Sequence, residues 1–188
     1  MSTSATVTVL TRQGLFPAGY ADISIAFTVR AILQTAADGQ HTTTPAPQMR
    51  LKDYDADPDS HPSTWPERWD VSRWLFVEAT DGAVIVGRAA VAMDTPGVHM
   101  LEGRADLAVL WDIRVAPTHR GRGVGRALLE EAAAQARAHG CRELKVETQD
   151  INVPACRFYA AMGCTLAEVN PQAYGDSDEV QLIWRQPL

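Results

Sequence analysis

Alternating hydrophobic and polar positions predict several strands in the middle of the chain. Two β-rich runs, Trp74 to Ala79 and Ala83 to Met93, flank the dipeptide Asp81-Gly82, which favours a two-residue hairpin turn. The run ADLAVLWDIRVAP predicts a longer strand that ends at Pro117, because proline cannot donate a hydrogen bond to a strand ladder. We therefore expect an antiparallel meander here.

Helical periodicity begins after this meander. An apolar stripe at helical spacing precedes Gly140, and it consists of Val124, Leu128, Ala132 and Ala136. The run ELKVET predicts a strand, and Asn152 can cap a second helix from Val153 to Met162, which ends at Gly163. The runs CTLAEV and VQLIW predict a terminal strand pair. The later half therefore has the order β-α-β-α-β-β.

The first 70 residues are less regular. Val7 to Leu10 predicts a first strand, and the apolar residues between Tyr20 and Ala37 have a loosely helical spacing. The segment from Gly39 to about Asp70 is acidic and rich in proline, which predicts a long loop with a short helix around Trp65 to Trp69. The whole pattern predicts an α/β fold with a mixed sheet.

Composition limits the possible classes of protein. A chain of 188 residues suits one domain, so residues 1–188 are expected to form a single domain. The net charge of −6 argues against a nucleic-acid partner, and no apolar run is long enough to cross a membrane. The N-terminus does not resemble a secretory signal, so we expect a cytoplasmic protein, with an exposed terminal strand pair that could form a homodimer.

The cysteines indicate neither a disulfide framework nor a metal site. Cys141, Cys156 and Cys164 form no CxxC pair, and their number is odd. We therefore expect buried, reduced thiols and no bound metal.

A glycine- and arginine-rich turn joins the long strand to the first long helix. Its sequence is RGRGVG, from Arg120 to Gly125. Glycine permits positive φ, and the start of a helix offers unpaired N–H groups at the positive end of its macrodipole. Arg120, Arg122 and Arg126 add positive charge. The turn therefore predicts a site for a diphosphate.

The spacing in this turn excludes two common nucleotide motifs. No lysine follows the glycines as a Walker loop requires, and Arg126 or Leu128 would occupy the last glycine position of the dinucleotide pattern. The pattern R-x-x-G-x-G between a strand and a helix resembles the acetyl-CoA pyrophosphate loop of the GCN5-related N-acetyltransferase (GNAT) family. That resemblance implies a GNAT domain over residues 1–188, with a central, mixed but mostly antiparallel sheet flanked by helices, and acetyl-CoA as cosubstrate. It also implies these cofactor-binding residues: Ile113, Arg114, Val115, Arg120, Gly121, Arg122, Gly123, Val124, Gly125, Arg126, Asn152 and Tyr159.

A second stretch, NVPACRFYAAMG, is similar to the family pattern N-x-x-A-x-x-F-Y-x-x-x-G. It contains Asn152 and Tyr159, while Cys164 stands where the family usually has an aromatic residue. The resemblance implies that Tyr159 is the acid that protonates the departing thiolate. Taken alone, Tyr159 is better explained as a half-buried core residue, and its spacing from the arginine-rich turn is what favours the catalytic role.

A narrower resemblance covers residues 105 to 188. The stretches DIRVAPTHRGRGVGRALL, ETQDINVPACRFYAAMGC and DEVQLIWR resemble streptothricin acetyltransferases. This resemblance implies a small-molecule amine as acceptor, with the β-lysine amine of streptothricin as the particular substrate. Another small amine or a protein amine is the alternative acceptor, and a non-catalytic CoA-binding module is the alternative class.

Amine acetylation requires removal of a proton, because an amine at neutral pH is mostly its unreactive ammonium. The candidate bases are Glu147 at the end of a strand, Asp112 inside the preceding strand, or a water held by one of them; His119 is less suited. Asp112 could instead make a buried salt bridge, and either carboxylate could simply attract a cation. The family resemblance implies an oxyanion donor near Ile113 to Val115.

Two further hypotheses concern other parts of the chain. The acidic residues between Asp53 and Asp70 could steer a cationic substrate, or could simply form a solvated surface. Cys156 lies near a helix start that could lower its pKa, so a covalent mechanism is the chemical alternative.

Overall fold

The computed structural model describes residues 7–36 and 40–188. These residues form two compact units, one with the described residues up to Ile25, Tyr54–Leu144 and Leu188, the other with those of Ala26–Asp53 and Lys145–Pro187. The helices and strands of the described residues are β1 (Thr8–Gln13), β2 (Phe27–Thr35), β3 (His41–Lys52), α1 (Trp65–Arg68), β4 (Leu75–Asp81), β5 (Val84–Met93), β6 (Leu107–Val115), α2 (Val124–Ala138), β7 (Glu143–Gln149), α3 (Val153–Ala161), β8 (Thr165–Asn170) and β9 (Gln181–Pro187).

The first unit contains four strands in the order β1-β4-β5-β6, and every neighbouring pair is antiparallel. Gly82 adopts a φ of 60° in the turn between β4 and β5, which confirms the predicted hairpin. The register between β5 and β6 shifts so that Trp111 has no partner residue. This bulge lies directly before Asp112, one of the candidate site residues.

Helix α2 packs against the strands of the first unit and begins close to β5. Its apolar stripe is buried, as predicted. A Cβ on Gly87 of β5 would lie 2.9 Å from side-chain atoms of both Val124 and Leu128. Gly87 therefore allows the first turn of α2 to approach β5 closely.

Aromatic side chains fill the other part of the first unit's core. Trp65, Trp74 and Phe76 are buried there, and the indole N–H of Trp74 donates to Thr95 Oγ1 at 3.0 Å. Trp65 belongs to the short helix α1, where the sequence predicted one. The tryptophans near this helix are therefore core residues.

The second unit contains β7, β9 and β8 in that order, and β8 and β9 are antiparallel. Strands β2 and β3 form a separate antiparallel pair, and α3 packs against β2 and β8. The backbone N–H of Leu33 in β2 donates to the carbonyl of Asp150 at 2.9 Å. This bond joins β2 to the segment that follows β7.

The structure corrects two predictions about the first 70 residues. In the described part of the loosely helical segment, residues 20–36, a single 3-10 turn, Tyr20–Asp22, is followed by strand β2. The predicted loop contains the long strand β3 between His41 and Lys52. Pairing between β2 and β3 explains both errors, because tertiary contacts overrode the local spacing. Ala37 and Gly39, which bounded the two predictions, lie outside the described residues.

The remaining predicted elements are confirmed, and so is the α/β class. The single-domain expectation stays a prediction. No helix within residues 7–36 and 40–188 is both long and apolar enough to span a membrane.

Candidate active site

The glycine-rich turn opens directly into α2. Gly121 and Gly123 have φ values of 73° and 87°, which L side chains rarely adopt. Gly123 is the residue before the helix, and no side chain in the described part of the protein caps the helix start. The first intrahelical bond runs from Ala127 N–H to the Gly123 carbonyl at 3.0 Å, so the preceding amides of α2 are not used by its own ladder. These donors fit the diphosphate of a coenzyme A thioester.

The three arginines of this turn have different surroundings. Arg120 donates to the carbonyls of Val115 at 3.0 Å and Ser24 at 3.2 Å, which braces the turn against the end of β6. Arg126 lies 3.4 Å from Glu130, one helical turn further on. Arg122 is exposed and makes no side-chain hydrogen bond or ion pair within the described parts of the chain. Its guanidinium therefore has the greatest freedom to bind an anion.

Strand β6 presents different residues on its two faces. Asp112 and Arg114 are buried, whereas Ile113 and Val115 are half-buried. The side chain of Arg114 thus points into the first unit with Asp112. Only the backbone of Arg114 would therefore be available for the cofactor contact that the family resemblance implies.

Asp112 belongs to a buried polar network. Its Oδ1 accepts from Tyr20 Oη and Arg114 Nε, both at 2.9 Å, and its Oδ2 accepts from Arg114 Nη2 at 2.7 Å. Arg114 Nη1 also donates to Asp55 Oδ2 at 2.9 Å and to the carbonyl of Ile23 at 3.1 Å. Both oxygens of Asp112 are therefore committed to structural hydrogen bonds.

The charges in this network stabilise one another. Burial opposes the charged form of Arg114, but hydrogen bonds and ion pairing with Asp112 and Asp55 hold its pKa above the ordinary value. Burial, followed by the charge of Asp112, raises the pKa of Tyr20 well above its usual range. The guanidinium of Arg114 also lies 5.0 Å from the centre of the Tyr20 ring. The geometry favours the salt-bridge alternative for Asp112 over the catalytic one.

Glu147 has a different environment. It is half-buried on β7, and its Oε1 accepts a hydrogen bond of 2.7 Å from the hydroxyl of Tyr174. The same hydroxyl accepts from Gln149 Nε2 at 3.2 Å. No arginine or lysine of the described chain forms a salt bridge with Glu147. Of the two candidate carboxylates, Glu147 therefore has fewer hydrogen-bond partners among the described residues.

Helix α3 positions the residues of the second motif. Asn152 caps the helix, because its side-chain oxygen accepts from Ala155 N–H at 3.2 Å. Tyr159 is buried, with ring-centre distances of 5.4 Å to Phe158 and 6.4 Å to Trp184. These contacts fix the plane of the Tyr159 ring, which is a requirement both for a core residue and for an acid.

The cysteines are buried and free, as the sequence predicted. Burial, followed by the charge of Asp150, raises the pKa of the Cys156 thiol to about 12. This direction is opposite to the one that a nucleophilic cysteine requires. The covalent alternative therefore loses its basis.

Some contacts of the candidate residues escaped the sequence reasoning. Tyr20, Asp55 and Tyr174 reach candidate residues far away in sequence, and no motif surrounds them. His119 lies directly before the glycine-rich turn, 3.4 Å from Asp81. Within the acidic segment, Asp55 binds Arg114 and Asp70 caps the turn at Ser72, so part of that charge has a structural use.

Comparison with known proteins identifies a family that matches this chain. The model of the Acetyltransferase (GNAT) family matches residues 42–164, more than half of the chain. Streptothricin acetyltransferase A from Bacillus subtilis (strain 168) is 38% identical over 80 residues, which are 41% of this chain and 46% of that protein. The matched part thus spans about half the length of this relative.

Two solved structures are similar over nearly their whole length. A nourseothricin acetyltransferase has a TM-score of 0.66 at 25% identity, covering 96% of this chain and 98% of the other. A protein from Bacillus anthracis str. Ames, described as a streptothricin acetyltransferase and solved with acetyl coenzyme A, has a TM-score of 0.76 at 22% identity, covering 97% and 99%. The similarity to the Bacillus anthracis structure concerns the fold alone, because the two chains are only 22% identical.

An α/β fold, with a glycine-arginine turn at the start of α2, defines a class of acyl-CoA-binding proteins. The chain belongs to the GNAT family of acetyltransferases, as its two motifs indicated.

Proposed function

We propose that this protein transfers an acetyl group from acetyl-CoA to a primary amine of a small molecule. The observation that carries the proposal is the uncapped start of α2, where Gly121 and Gly123 have positive φ beside exposed Arg122. Such a start binds a diphosphate through backbone amides and a guanidinium. Membership of the GNAT family supports acetyl-CoA as the carrier of that diphosphate.

Several residues would hold the cosubstrate. The amides of Gly121, Gly123, Val124 and Gly125, with Arg122 and Arg126, would bind its diphosphate, while Arg120 braces the turn. The backbone of Ile113 to Val115 would lie along its pantetheine arm, and Asn152 and Tyr159 are the other proposed cosubstrate-binding residues. Acetyl-CoA supplies an activated acyl group, so no acyl-enzyme is required.

Glu147 is proposed as the group that accepts the proton of the acceptor ammonium, directly or through one water. It is half-buried and bears no salt bridge from the described residues, whereas Asp112 is bound on both oxygens. A carboxylate already paired with a buried arginine is a poor base, because protonation would leave that arginine without its partner. The chemistry therefore favours Glu147.

The other steps use a backbone donor and a phenol. A backbone N–H between Ile113 and Val115 would stabilise the negative charge that develops on the acetyl carbonyl oxygen. The hydroxyl of Tyr159 would then protonate the departing thiolate. The contacts of Tyr159 with Phe158 and Trp184 support this role, since an acid must be held in one orientation.

The β-lysine amine of streptothricin is the proposed acceptor. The names of the relatives from Bacillus subtilis and of the nourseothricin enzyme support this choice. Another small amine or a protein amine would use the same cosubstrate and the same groups on this chain. The acceptor therefore has to be found by direct assay.

A thiol-release assay with acetyl-CoA and a panel of amines tests the proposal. The panel should contain streptothricin, short polyamines and a lysine-containing peptide. We expect turnover with streptothricin and slower turnover with the other amines. Binding of CoA without turnover on any amine would instead identify a non-catalytic CoA-binding module. Equal turnover on every amine would contradict the proposed acceptor alone.

A further inference from the structure

A tyrosine outside both sequence motifs contacts the proposed base. Tyr174 lies between β8 and β9, in the turn-rich segment 171–178. Among these eight residues, all of them described, only Tyr174 is not exposed. Its side chain therefore turns back toward the protein while its neighbours face solvent.

The hydroxyl of Tyr174 has a defined place between two residues of β7. It accepts a hydrogen bond from Gln149 Nε2 at 3.2 Å and donates one to Glu147 Oε1 at 2.7 Å. Gln149 and Glu147 are two positions apart on one strand, so both side chains lie on the same face. A hydroxyl group that donates to a carboxylate oxygen at 2.7 Å makes a strong, charge-assisted hydrogen bond.

The two carboxylate oxygens of Glu147 differ in their hydrogen bonding. Oε1 is bound by Tyr174, whereas Oε2 has no hydrogen-bond partner within residues 7–36 and 40–188. A bond on one oxygen fixes the carboxylate plane and leaves the other oxygen available for a proton. The bond from Gln149 orients the phenol so that its own proton points to Glu147.

We propose that Tyr174 is a positioning residue, whose hydroxyl holds Oε1 of Glu147 so that Oε2 faces the ammonium group of the acceptor. This inference rests on the proposed function, in which Glu147 accepts that proton. Tyr174 acts through Glu147 and does not itself touch the reacting atoms. The same contact also links the 171–178 segment to the proposed base.

A double-mutant cycle tests the inference. Tyr174→Phe keeps the ring and removes the hydroxyl; we expect kcat to fall about tenfold, the loss typical of one hydrogen bond to a charged group. KM for acetyl-CoA should not change. In a Glu147→Gln background, the same substitution should have almost no further effect, since the carboxylate that Tyr174 positions is already gone. Gln172→Ala, in the same exposed segment, is the matched control and should match wild type.

The outcomes separate this inference from the proposed function. If the wild type acetylates amines and Tyr174→Phe has the wild-type kcat, the inference alone is overturned. An equal loss from Tyr174→Phe in the wild-type and Glu147→Gln backgrounds would also overturn it, because Tyr174 would then act independently of Glu147.

A measurement that needs no turnover is required for the case in which the wild-type protein is inactive. If the wild type acetylates no amine, the proposed function fails, and the positioning of Glu147 toward an acceptor fails with it; carbon-13 NMR of the Glu147 side chain then decides whether Tyr174 holds this carboxylate at all. A change in the carboxyl chemical shift in Tyr174→Phe, absent from Gln172→Ala, would support this contact. An unchanged shift would overturn it.

Discussion

At the scale of single residues, the two carboxylates that the sequence left as alternatives have distinct environments. Asp112 is bound by Arg114 and Tyr20, with both of its oxygens in use. Glu147 has one hydrogen bond from Tyr174. Two acidic side chains on strands thus have different chemistry, because their neighbours come from distant parts of the sequence.

Asp112→Asn should affect stability more than catalysis. The change leaves the buried Arg114 with Asp55 as a charged partner, and we expect unfolding to become easier by about 3 kcal/mol. Urea denaturation measures this loss, while kcat of the folded protein should stay near wild type. Glu147→Gln is the matched control and should show the reverse. A large loss of kcat in a stable Asp112→Asn protein would restore Asp112 as the base.

Tyr159→Phe should slow the reaction without weakening cosubstrate binding. The ring and its contacts with Phe158 and Trp184 remain, while the acid is lost. We expect kcat to fall about a hundredfold, the lower end for general-acid catalysis. Steady-state kinetics and calorimetry with acetyl-CoA measure the two effects. An unchanged kcat would assign Tyr159 to the core alone.

Cys156 should be chemically inert in the folded protein. With a pKa of about 12, only about one thiol in ten thousand is ionised at pH 8, and the thiolate is the reactive form. Iodoacetamide should label Cys156 slowly in native protein at pH 8 and quickly after denaturation, as mass spectrometry of peptides would show. Activity in Cys156→Ala should persist. Rapid native labelling of Cys156 with loss of activity would revive the covalent mechanism.

At the scale of elements, the strand β6, the turn and helix α2 form one continuous unit, which is the proposed diphosphate site. Arg120 bonds to the carbonyl at the end of β6, and Gly123 precedes the helix with a positive φ. The sequence predicted this element well, because glycine and arginine at a helix start are a local signal. The strands β2 and β3 were not predictable in the same way, since their pairing is a non-local contact.

Arg122→Ala should weaken acetyl-CoA binding about tenfold, because a guanidinium–phosphate bond is lost at the start of α2. Isothermal titration calorimetry measures the affinity. Arg137→Ala removes one exposed arginine from the last turn of the same helix and serves as the control. We expect no change there. Equal affinities in Arg122→Ala and the parent would count against the diphosphate site.

At the scale of the whole molecule, a net charge of −6 coexists with a local positive site. Helix dipole, backbone amides and arginines act over a few ångströms, whereas the surplus of acidic groups is screened by salt. The family and the glycine-rich turn at the start of α2 could therefore be predicted from local sequence. The partners of Asp112 and Glu147 could not, because Tyr20, Asp55 and Tyr174 lie far from them along the chain and in no recognisable motif.

Acetyl-CoA should stabilise the folded protein through mass action. At a concentration a hundred times Kd, the gain is about 2.7 kcal/mol, which for a chain of this size corresponds to a rise in Tm of about 5 to 10 °C. Differential scanning fluorimetry measures the rise. Pantetheine, which lacks the diphosphate, should give a much smaller effect. Equal shifts from both compounds would show that the diphosphate contributes little to binding.

The close approach of α2 to β5 at Gly87 sets a condition on transplanting this site. A protein engineer who copies the RGRGVG turn and its helix into another scaffold would also need a residue without a side chain on the neighbouring strand. Otherwise a side chain on that strand would displace the first turn of the helix. The backbone N–H groups of that turn would then no longer point toward the proposed diphosphate position. The structure that would have to be transferred is thus discontinuous in sequence, because it includes Gly87, which lies far from the RGRGVG motif.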